Sequence, residues 1–268
     1  MDRIAPVPKG RAQLSQVLQA AGELVSIDAV TKALRTDRRG ATKLLSRWAA
    51  QGWLKRLGRG FYTPVPIASI GQTQVLDDPW LVVPSLFGPA YIGGWTAAEH
   101  WGLTEQIFRS VCVLTTRPVH GKEKNIQGVD FSVTQVSPRA MFGTKTLWRG
   151  KVKVEVSSPS KTIIDMLDDP AIGGGIRHAA DCLDQYLRGQ NGPEELIGAA
   201  ARLENGAVFK RLGFLAERRG GPDKLVADCQ KRLTTGNAKL DPDIPCQRLV
   251  KRWRLWIPRS WMEGKRGD

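Results

Sequence analysis

Arg38, Arg39, Thr42, Lys43, Ser46 and Arg47, with Arg35 just before them and Lys55, Arg56 and Arg59 just after, are the side chains here whose types and spacing best suit chemistry. That chemistry is non-covalent. Guanidinium and ammonium groups bind phosphate oxygens, and Arg, Lys, Ser and Thr also hydrogen-bond to base edges. Between Arg38 and Gln51 a 3.6-residue period collects Ala41, Leu44, Leu45, Trp48 and Ala49 on one apolar stripe. Arg39, Lys43, Ser46 and Ala50 fall on the opposite side, Thr42 and Arg47 on its flanks, and Arg38 in the first turn.

A helix presents such a face only if its neighbours hold the other one. Ile27 to Leu34 reads as a shorter helix, with Ser26 or Asp28 near its start and Ile27, Val30 and Leu34 turned inward. Arg35-Thr36-Asp37 then makes a tight connection in which Thr36 or Asp37 caps the next helix. Upstream, Leu14, Val17, Leu18 and Ala21 mark an amphipathic helix near Arg11 to Ala21. Downstream, Gly52 is placed to stop the basic helix, and Trp53-Leu54-Lys55 pairs with Phe61-Tyr62-Thr63 around Arg56-Leu57-Gly58-Arg59-Gly60. Arg59 sits at the tip of that hairpin, where an arginine suits a phosphate or a narrow minor groove. Three helices and a hairpin in this order read as a winged helix-turn-helix.

Charge follows the same segment. The 268 residues carry 40 basic and 26 acidic side chains, a formal +14. Residues 1–66 hold 12 basic and 4 acidic side chains, a net +8, which leaves +6 for the rest. Scattered positive charge merely solvates a surface, whereas charge gathered on one motif is a footprint for a polyanion. The length suits two domains of about 100–200 residues each. No apolar run approaches the ~20 residues of a bilayer span, and Asp2, Arg3 and the early prolines do not suit a secretory signal. The expectation is a soluble, cytoplasmic, nucleoid-associated protein with no membrane partner.

Enzymatic readings find less support. Cys112, Cys182, Cys229 and Cys246 are scattered without a Cys-x-x-Cys pair, and the histidines are equally dispersed, so no metal-ligand set forms. The thiols read as ordinary buried or half-buried groups of a reducing compartment, and His100 and His178 as core or boundary residues. Gly173-Gly174-Gly175 followed by Asp181 and Asp184 superficially resembles the glycine turn and metal-binding carboxylates of a nucleotidyltransferase. Carboxylates that share a strand face alternate, whereas these two are three apart in a helical pattern. The Gly-Lys-Ser/Thr of a phosphate loop is missing. Glu155 on a strand would need a lysine at 157 to build a nuclease core, and that residue is serine. No catalytic residue, metal or cofactor is expected.

Thr63-Pro64-Val65-Pro66 reads as the end of the hairpin, because two prolines in three residues stop strand pairing and favour an extended linker. The domains are therefore placed at 1–66 and 67–268. In the second, Asp77-Asp78-Pro79 opens a helix through Leu86. A short strand at Tyr91, a helix capped by Thr96, and strands at Ser110 to Thr116, Phe131 to Val136 and Val152 to Val156 follow. Ser158-Pro159-Ser160 opens a helix with Ile163, Ile164 and Leu167 inward and Lys161 paired with Asp165 at i, i+4. From Ile176 the pattern turns mostly helical, with further helices from Pro193, over Ala207 to Leu215 and over Leu225 to Leu233. Trp253, Leu255 and Ile257 alternate into a terminal strand. The expected fold class is α+β: an N-terminal winged helix-turn-helix, then a larger mixed α/β domain that is mostly helical in its second half.

Several stretches together resemble the AbiEi-type antitoxins of type IV toxin–antitoxin systems. They are Gly58-Arg59-Gly60-Phe61-Tyr62; Tyr91-Ile92-Gly93-Gly94-Trp95-Thr96-Ala97-Ala98 with Gly102-Leu103; Val113-Leu114-Thr115-Thr116-Arg117; Ser160-Lys161-Thr162-Ile163-Ile164-Asp165-Met166-Leu167; and Lys210-Arg211-Leu212-Gly213-Phe214-Leu215-Ala216-Glu217. They cover most of the chain in the family's order. The resemblance implies a repressor of its own operon that binds inverted repeats in the promoter. It also implies a C-terminal domain that counters a nucleotidyltransferase-like toxin without a stable complex. It supplies no catalytic residues. One departure is the basic C-terminus, with Arg248, Lys251, Arg252, Arg254, Lys265 and Arg266.

The sequence thus points to a DNA-binding autorepressor and antitoxin, reading bases with the helix from Arg38 and anchoring phosphates with Lys55, Arg56 and Arg59. The alternative is a winged-helix regulator that senses a ligand or partner through its second domain, with no toxin. Arg248, Lys251, Arg252 and Arg254, interleaved with Trp253, Trp256 and Trp261, mark a second candidate nucleic-acid surface, against core packing of the tryptophans. Lys161, Asp165 and Arg211 read as structural: a helix ion pair and a helix-end cation.

Overall fold

The computed structural model describes residues 8–22, 24–66, 76, 78–189 and 192–262, so Asp77, Lys265 and Arg266 lie outside the described residues. The chain is mixed α and β, with ten α-helices and three sheets among the described residues. No helix among them is long and apolar enough to cross a membrane.

The first segment runs α1 (Lys9–Ala21), β1 (Val25–Ser26), α2 (Ile27–Leu34), α3 (Arg38–Ala50), β2 (Leu54–Gly58) and β3 (Phe61–Pro64). Leu14 and Val17 of α1, Val30 of α2, and Ala41, Leu45 and Trp48 of α3 close on one core with Val25, Leu54 and Tyr62. Wholly buried Trp48 anchors it, at a gain of about 25 cal/mol per Å² of apolar surface removed from water. Of the two candidate caps at each helix start, Ser26 serves α2, accepting from the Ala29 N–H at 3.1 Å, and Asp37 serves α3, accepting from the Gly40 N–H at 2.9 Å. Gly52, at φ +74°, follows the end of α3.

β2 and β3 pair antiparallel with Lys55 opposite Thr63 and a bulge between Arg56 and Gly58. The hairpin turns through Gly60 at φ +84°, where a side chain would be strained and its Cβ would stand 3.2 Å from Ile27. Pro64 does not end the pairing. It lies opposite Leu54, and the Val65 N–H donates to the Trp53 carbonyl at 3.0 Å. Proline removes only its own N–H, so the ladder resumes one residue later.

The larger sheet has the order β6-β7-β5-β4-β9-β8, formed by β4 (Ala90–Ile92), β5 (Ser110–Thr115), β6 (Glu123–Ile126), β7 (Val129–Gln135), β8 (Thr144–Arg149) and β9 (Val152–Ser157). β5 lies parallel to β7, and β4 parallel to β9; the other pairs are antiparallel. The Val111-Cys112-Val113-Leu114 run is apolar throughout because β5 is covered on both faces. Val111 and Val113 face a core with Phe131, Val133, Val154 and Val156, while Cys112 and Leu114 face Tyr91 and Ile172.

Two helical expectations need correction here. Asp78 does cap a turn, but the segment to Leu86 is not one helix. Pro79–Val82 is a 3₁₀ turn, and α4 (Val83–Phe87) follows it with Pro84 in its first turn. A proline has no N–H to continue the ladder from the preceding turn. Thr96 lies inside α5 (Gly94–His100) rather than at its cap. Its hydroxyl instead accepts from the Cys112 N–H at 2.8 Å, tying the helix to the sheet.

The second half is helical: α6 (Pro159–Asp168), α7 (Ile176–Arg188), α8 (Pro193–Leu203), α9 (Gly206–Arg218) and α10 (Asp223–Lys231). α6 is buried from Ser160 to Leu167 and packs against α5, α7, α8 and α9. A small sheet of order β10-β12-β11 closes this layer, from β10 (Ala238–Lys239), β11 (Arg248–Val250) and β12 (Leu255–Ile257). Trp253 is not part of the terminal strand. It sits in a 3₁₀ turn, wholly buried, with its ring laid on α9 at Gly213.

A Cβ at Gly213 would stand 2.0 Å from Cζ3 and 2.3 Å from Cη2 of Trp253. Gly213→Ala should therefore cost about 1–3 kcal/mol through overpacking, although alanine is the better helix former by about 1 kcal/mol. Urea denaturation measures this, and an unchanged or raised midpoint would count against the contact.

The first segment rests on the second. Leu24 and Leu57 pack against the core that holds Val82 and Val83, and a Cβ at Gly58 would meet Leu86 at 3.0 Å. The face of the β2–β3 hairpin turned away from α3 is thus buttressed by the 79–87 segment.

Candidate nucleic-acid interface

The candidate surface is built from α3 outward. Because Ala41, Leu45 and Trp48 are buried, a 3.6-residue period must turn Arg39, Lys43, Ser46 and Ala50 outward. Arg35, Arg38, Arg39, Thr42, Lys43, Ser46 and Arg47 are all exposed. Ten of the sequence-selected residues fall on one contiguous run of helix, turn and hairpin, from Arg35 to Arg59. A helix of 13 residues is about 20 Å long at 1.5 Å per residue, and about 12 Å of groove width admits such a helix.

Individual residues differ in how free they are. The Arg38 Nη1 donates to Asp28 Oδ1 at 2.9 Å, with the side chains 73% and 82% exposed. A pair so exposed is worth at most about 1 kcal/mol, so a phosphate can displace the carboxylate cheaply. Asp28, once a candidate cap, thus serves α3 rather than α2. The Thr42 hydroxyl donates to the Arg38 carbonyl at 2.8 Å, which leaves its oxygen able to accept. Arg35 closes α2 in the left-handed region at φ 49°, aiming its side chain from the turn itself.

On the hairpin, Arg56 and Arg59 are exposed and Lys55 is half-buried. Arg56 Nε donates to the Gly58 carbonyl at 3.2 Å across the bulge. Arg59 occupies the two-residue tip with Gly60.

The C-terminal basic residues divide. Arg248, Lys251, Arg252 and Arg254 are all exposed, but Arg252 Nε pairs with Glu217 at 2.9 Å and Arg254 Nη1 donates to the Thr234 carbonyl at 2.9 Å. Of the tryptophans, Trp253 and Trp261 are core and Trp256 faces out. Sequence alone left both uses open, since neighbouring aromatics in a short twisted segment have no single period.

The acids weighed for enzymatic roles have partners. Asp181 and Asp184 lie on α7 and are bridged by Arg219, at 2.8 and 2.7 Å. Glu155 accepts from the hydroxyls of Thr144 at 2.8 Å and Thr146 at 2.6 Å. His178 is buried, with Nδ1 2.6 Å from the Gly173 carbonyl and Nε2 2.8 Å from the Thr104 hydroxyl. The four cysteines are free thiols, Cys246 alone half-buried. Arg211 is buried and donates to the carbonyls of Leu167 and Asp168 at 2.7 and 2.8 Å, closing the end of α6 as a helix-end cation does.

The Lys161–Asp165 pair lies much deeper than its i, i+4 spacing indicates. Lys161 is 0% exposed and bonds Asp165 Oδ1, while Tyr91 Oη donates to Asp165 Oδ2 at 2.9 Å. Lys161 Nζ also donates to Tyr91 Oη at 3.1 Å and lies 4.8 Å from the Phe142 ring centroid. Burial pushes the Asp165 carboxyl above its ordinary range in spite of Lys161. Tyr91 stands 70 residues before Lys161, so no local signal could have joined them.

A cleft of about 590 Å³ opens on the sheet domain, lined by Trp80, Thr96, His100, Phe108, Arg109 and Arg149 among others. Arg149 pairs with Asp78 at 3.1 Å and lies 4.6 Å over the Trp80 ring. Burial and Arg149 together lower the His100 pKa. Compared with known proteins, the chain matches no family model and no curated protein.

Proposed function

We propose that this chain is a DNA-binding autorepressor and antitoxin of the AbiEi type. Its first segment acts as a winged helix-turn-helix, α3 as the recognition helix and the β2–β3 hairpin as the wing. The observation that carries the DNA-binding half is the run of exposed cationic and hydroxyl side chains on the one side of α3 that its core stripe turns outward. Arg39, Lys43 and Arg47 are placed to reach base edges or phosphates, with Arg35, Arg38, Thr42 and Ser46 around them and Lys55, Arg56 and Arg59 on the hairpin. The partner is double-stranded DNA carrying inverted repeats in the chain's own promoter. The antitoxin half rests on the sequence resemblance, which assigns residues 67–268 to countering a nucleotidyltransferase-like toxin.

The test is a gel shift with the chain's own upstream promoter fragment against a scrambled fragment of equal length, at physiological salt with competitor DNA. A discrete complex on the promoter alone is expected. Equal, salt-sensitive binding to both fragments would reduce the reading to charge alone. Rescue of growth on co-expression with the adjacent gene tests the antitoxin half.

A second reading, regulation by a small molecule, is favoured by one feature. Trp80, which lines the 590 Å³ cleft, belongs to the 79–87 segment whose Leu86 touches the hairpin at Gly58. A ligand that displaced Asp78 from Arg149 would shift the support of the wing. A volume of this size suits a drug-sized molecule.

A further inference from the structure

Strand β12 is the middle strand of the small C-terminal sheet, and alternation turns Leu255 and Ile257 into the core and Trp256 to the opposite face. The register sets Lys239 of β10 beside Trp256 on one side and Leu249 of β11 on the other. Trp256 is 37% exposed, and among the described residues its indole has no hydrogen bond, stacked ring or overlying cation. That separates it from Trp253, whose Nε1 donates to Glu217 Oε2 at 2.5 Å, and from Trp261, which lies under Arg218.

The surrounding charge is one-sided. Residues 238–262 carry six lysines and arginines against two aspartates. Asp241 is buried and accepts from the Ile176 N–H at 3.2 Å and the Asp243 N–H at 3.0 Å. With Arg252 and Arg254 engaged, Lys239, Arg248, Lys251 and Arg259 remain exposed around the sheet.

An aromatic ring on the middle strand of an open sheet, with Lys239 beside it, offers stacking to a base and ionic contact to the phosphates next to it. A duplex hides its base faces, so only an unpaired strand can use both. We propose that this sheet face binds single-stranded nucleic acid, with Trp256 as the stacking platform and Lys239 and Lys251 as the phosphate contacts. This surface is separate from α3 and does not depend on the operator reading.

Fluorescence anisotropy with a labelled 12-nucleotide oligouridylate and its oligothymidylate counterpart, on the full chain, tests it. Wild type should bind both strands. Trp256→Ala should weaken binding by roughly 5- to 150-fold, the range of about 1–3 kcal/mol per stacked base, whereas Trp256→Tyr should keep most of it. Lys239→Ala with Lys251→Ala should lower the salt slope by about 0.7 per lost contact, a readout available even if Trp256→Ala fails to fold. Arg39→Ala with Lys43→Ala should leave single-strand binding unchanged. Absence of wild-type binding, equal binding by Trp256→Ala, or loss only in the Arg39 and Lys43 variant would overturn the assignment.

Discussion

Lys161→Met should destabilise the protein by about 3–5 kcal/mol, the usual consequence of removing one member of a buried ion pair. Lys161 is fully buried, and its ammonium is the only cation that contacts Asp165 among the described residues. Without it a carboxylate would remain in the core with a single donor, the Tyr91 hydroxyl at 2.9 Å. The effect has a definite pH signature. Burial already raises the folded-state pKa of Asp165, and loss of the opposing charge raises it further. A carboxyl with a raised folded pKa holds its proton more tightly folded than unfolded. The variant's deficit relative to wild type should therefore grow as pH rises from the raised wild-type value towards the still higher value of the variant, and shrink as pH falls back below the wild-type value. Adding Asp165→Leu should recover much of the loss, because an apolar pair replaces the stranded charge. Urea denaturation at several pH values measures this. A loss below about 1 kcal/mol would match an exposed pair and contradict the burial.

Arg39→Ala combined with Lys43→Ala should weaken binding to the promoter fragment by at least about 30-fold, if each contact contributes about 1–3 kcal/mol. The two lie one turn apart on the outward side of α3 and are both exposed. Their removal should leave stability within about 0.5 kcal/mol of wild type, so lost binding would not reflect lost structure. If both act on phosphates, the slope of log affinity against log salt should become shallower by roughly 0.9 for each. If they read bases, affinity for the promoter should fall more than affinity for scrambled DNA. Unchanged affinity in a folded variant would remove α3 from the interface. The Arg38–Asp28 pair predicts a smaller contrast: Asp28→Asn should leave affinity equal or slightly higher, because it frees Arg38 from its carboxylate.

What the sequence determined by itself is everything set by short-range periodicity and capping. The stripe of Ala41, Leu45 and Trp48 dictates which side of α3 is wet, and Ser26, Asp37, Ser158 and Pro193 mark helix starts wherever the chain folds. The apolar run at Ser110–Thr115 is a strand covered on both faces, and the alternating valines of Val152–Ser157 mark a strand with one buried face; burial leaves a compositional mark in both. Tertiary structure alone decided what depends on pairing between distant segments. Glu123–Ile126 and Thr144–Arg149 are polar edge strands, visible only through the neighbours that bind them. The depth of Lys161 comes from Tyr91, Phe142 and the helices around α6. Thr96 looks like a cap until the sheet supplies the Cys112 N–H. Which C-terminal tryptophan is free follows from Gly213 making room for Trp253 and from strand β12 turning Trp256 away. Local hydrogen bonds and side-chain periods act over three or four residues and are written in the sequence, whereas burial is a property of the assembled neighbours.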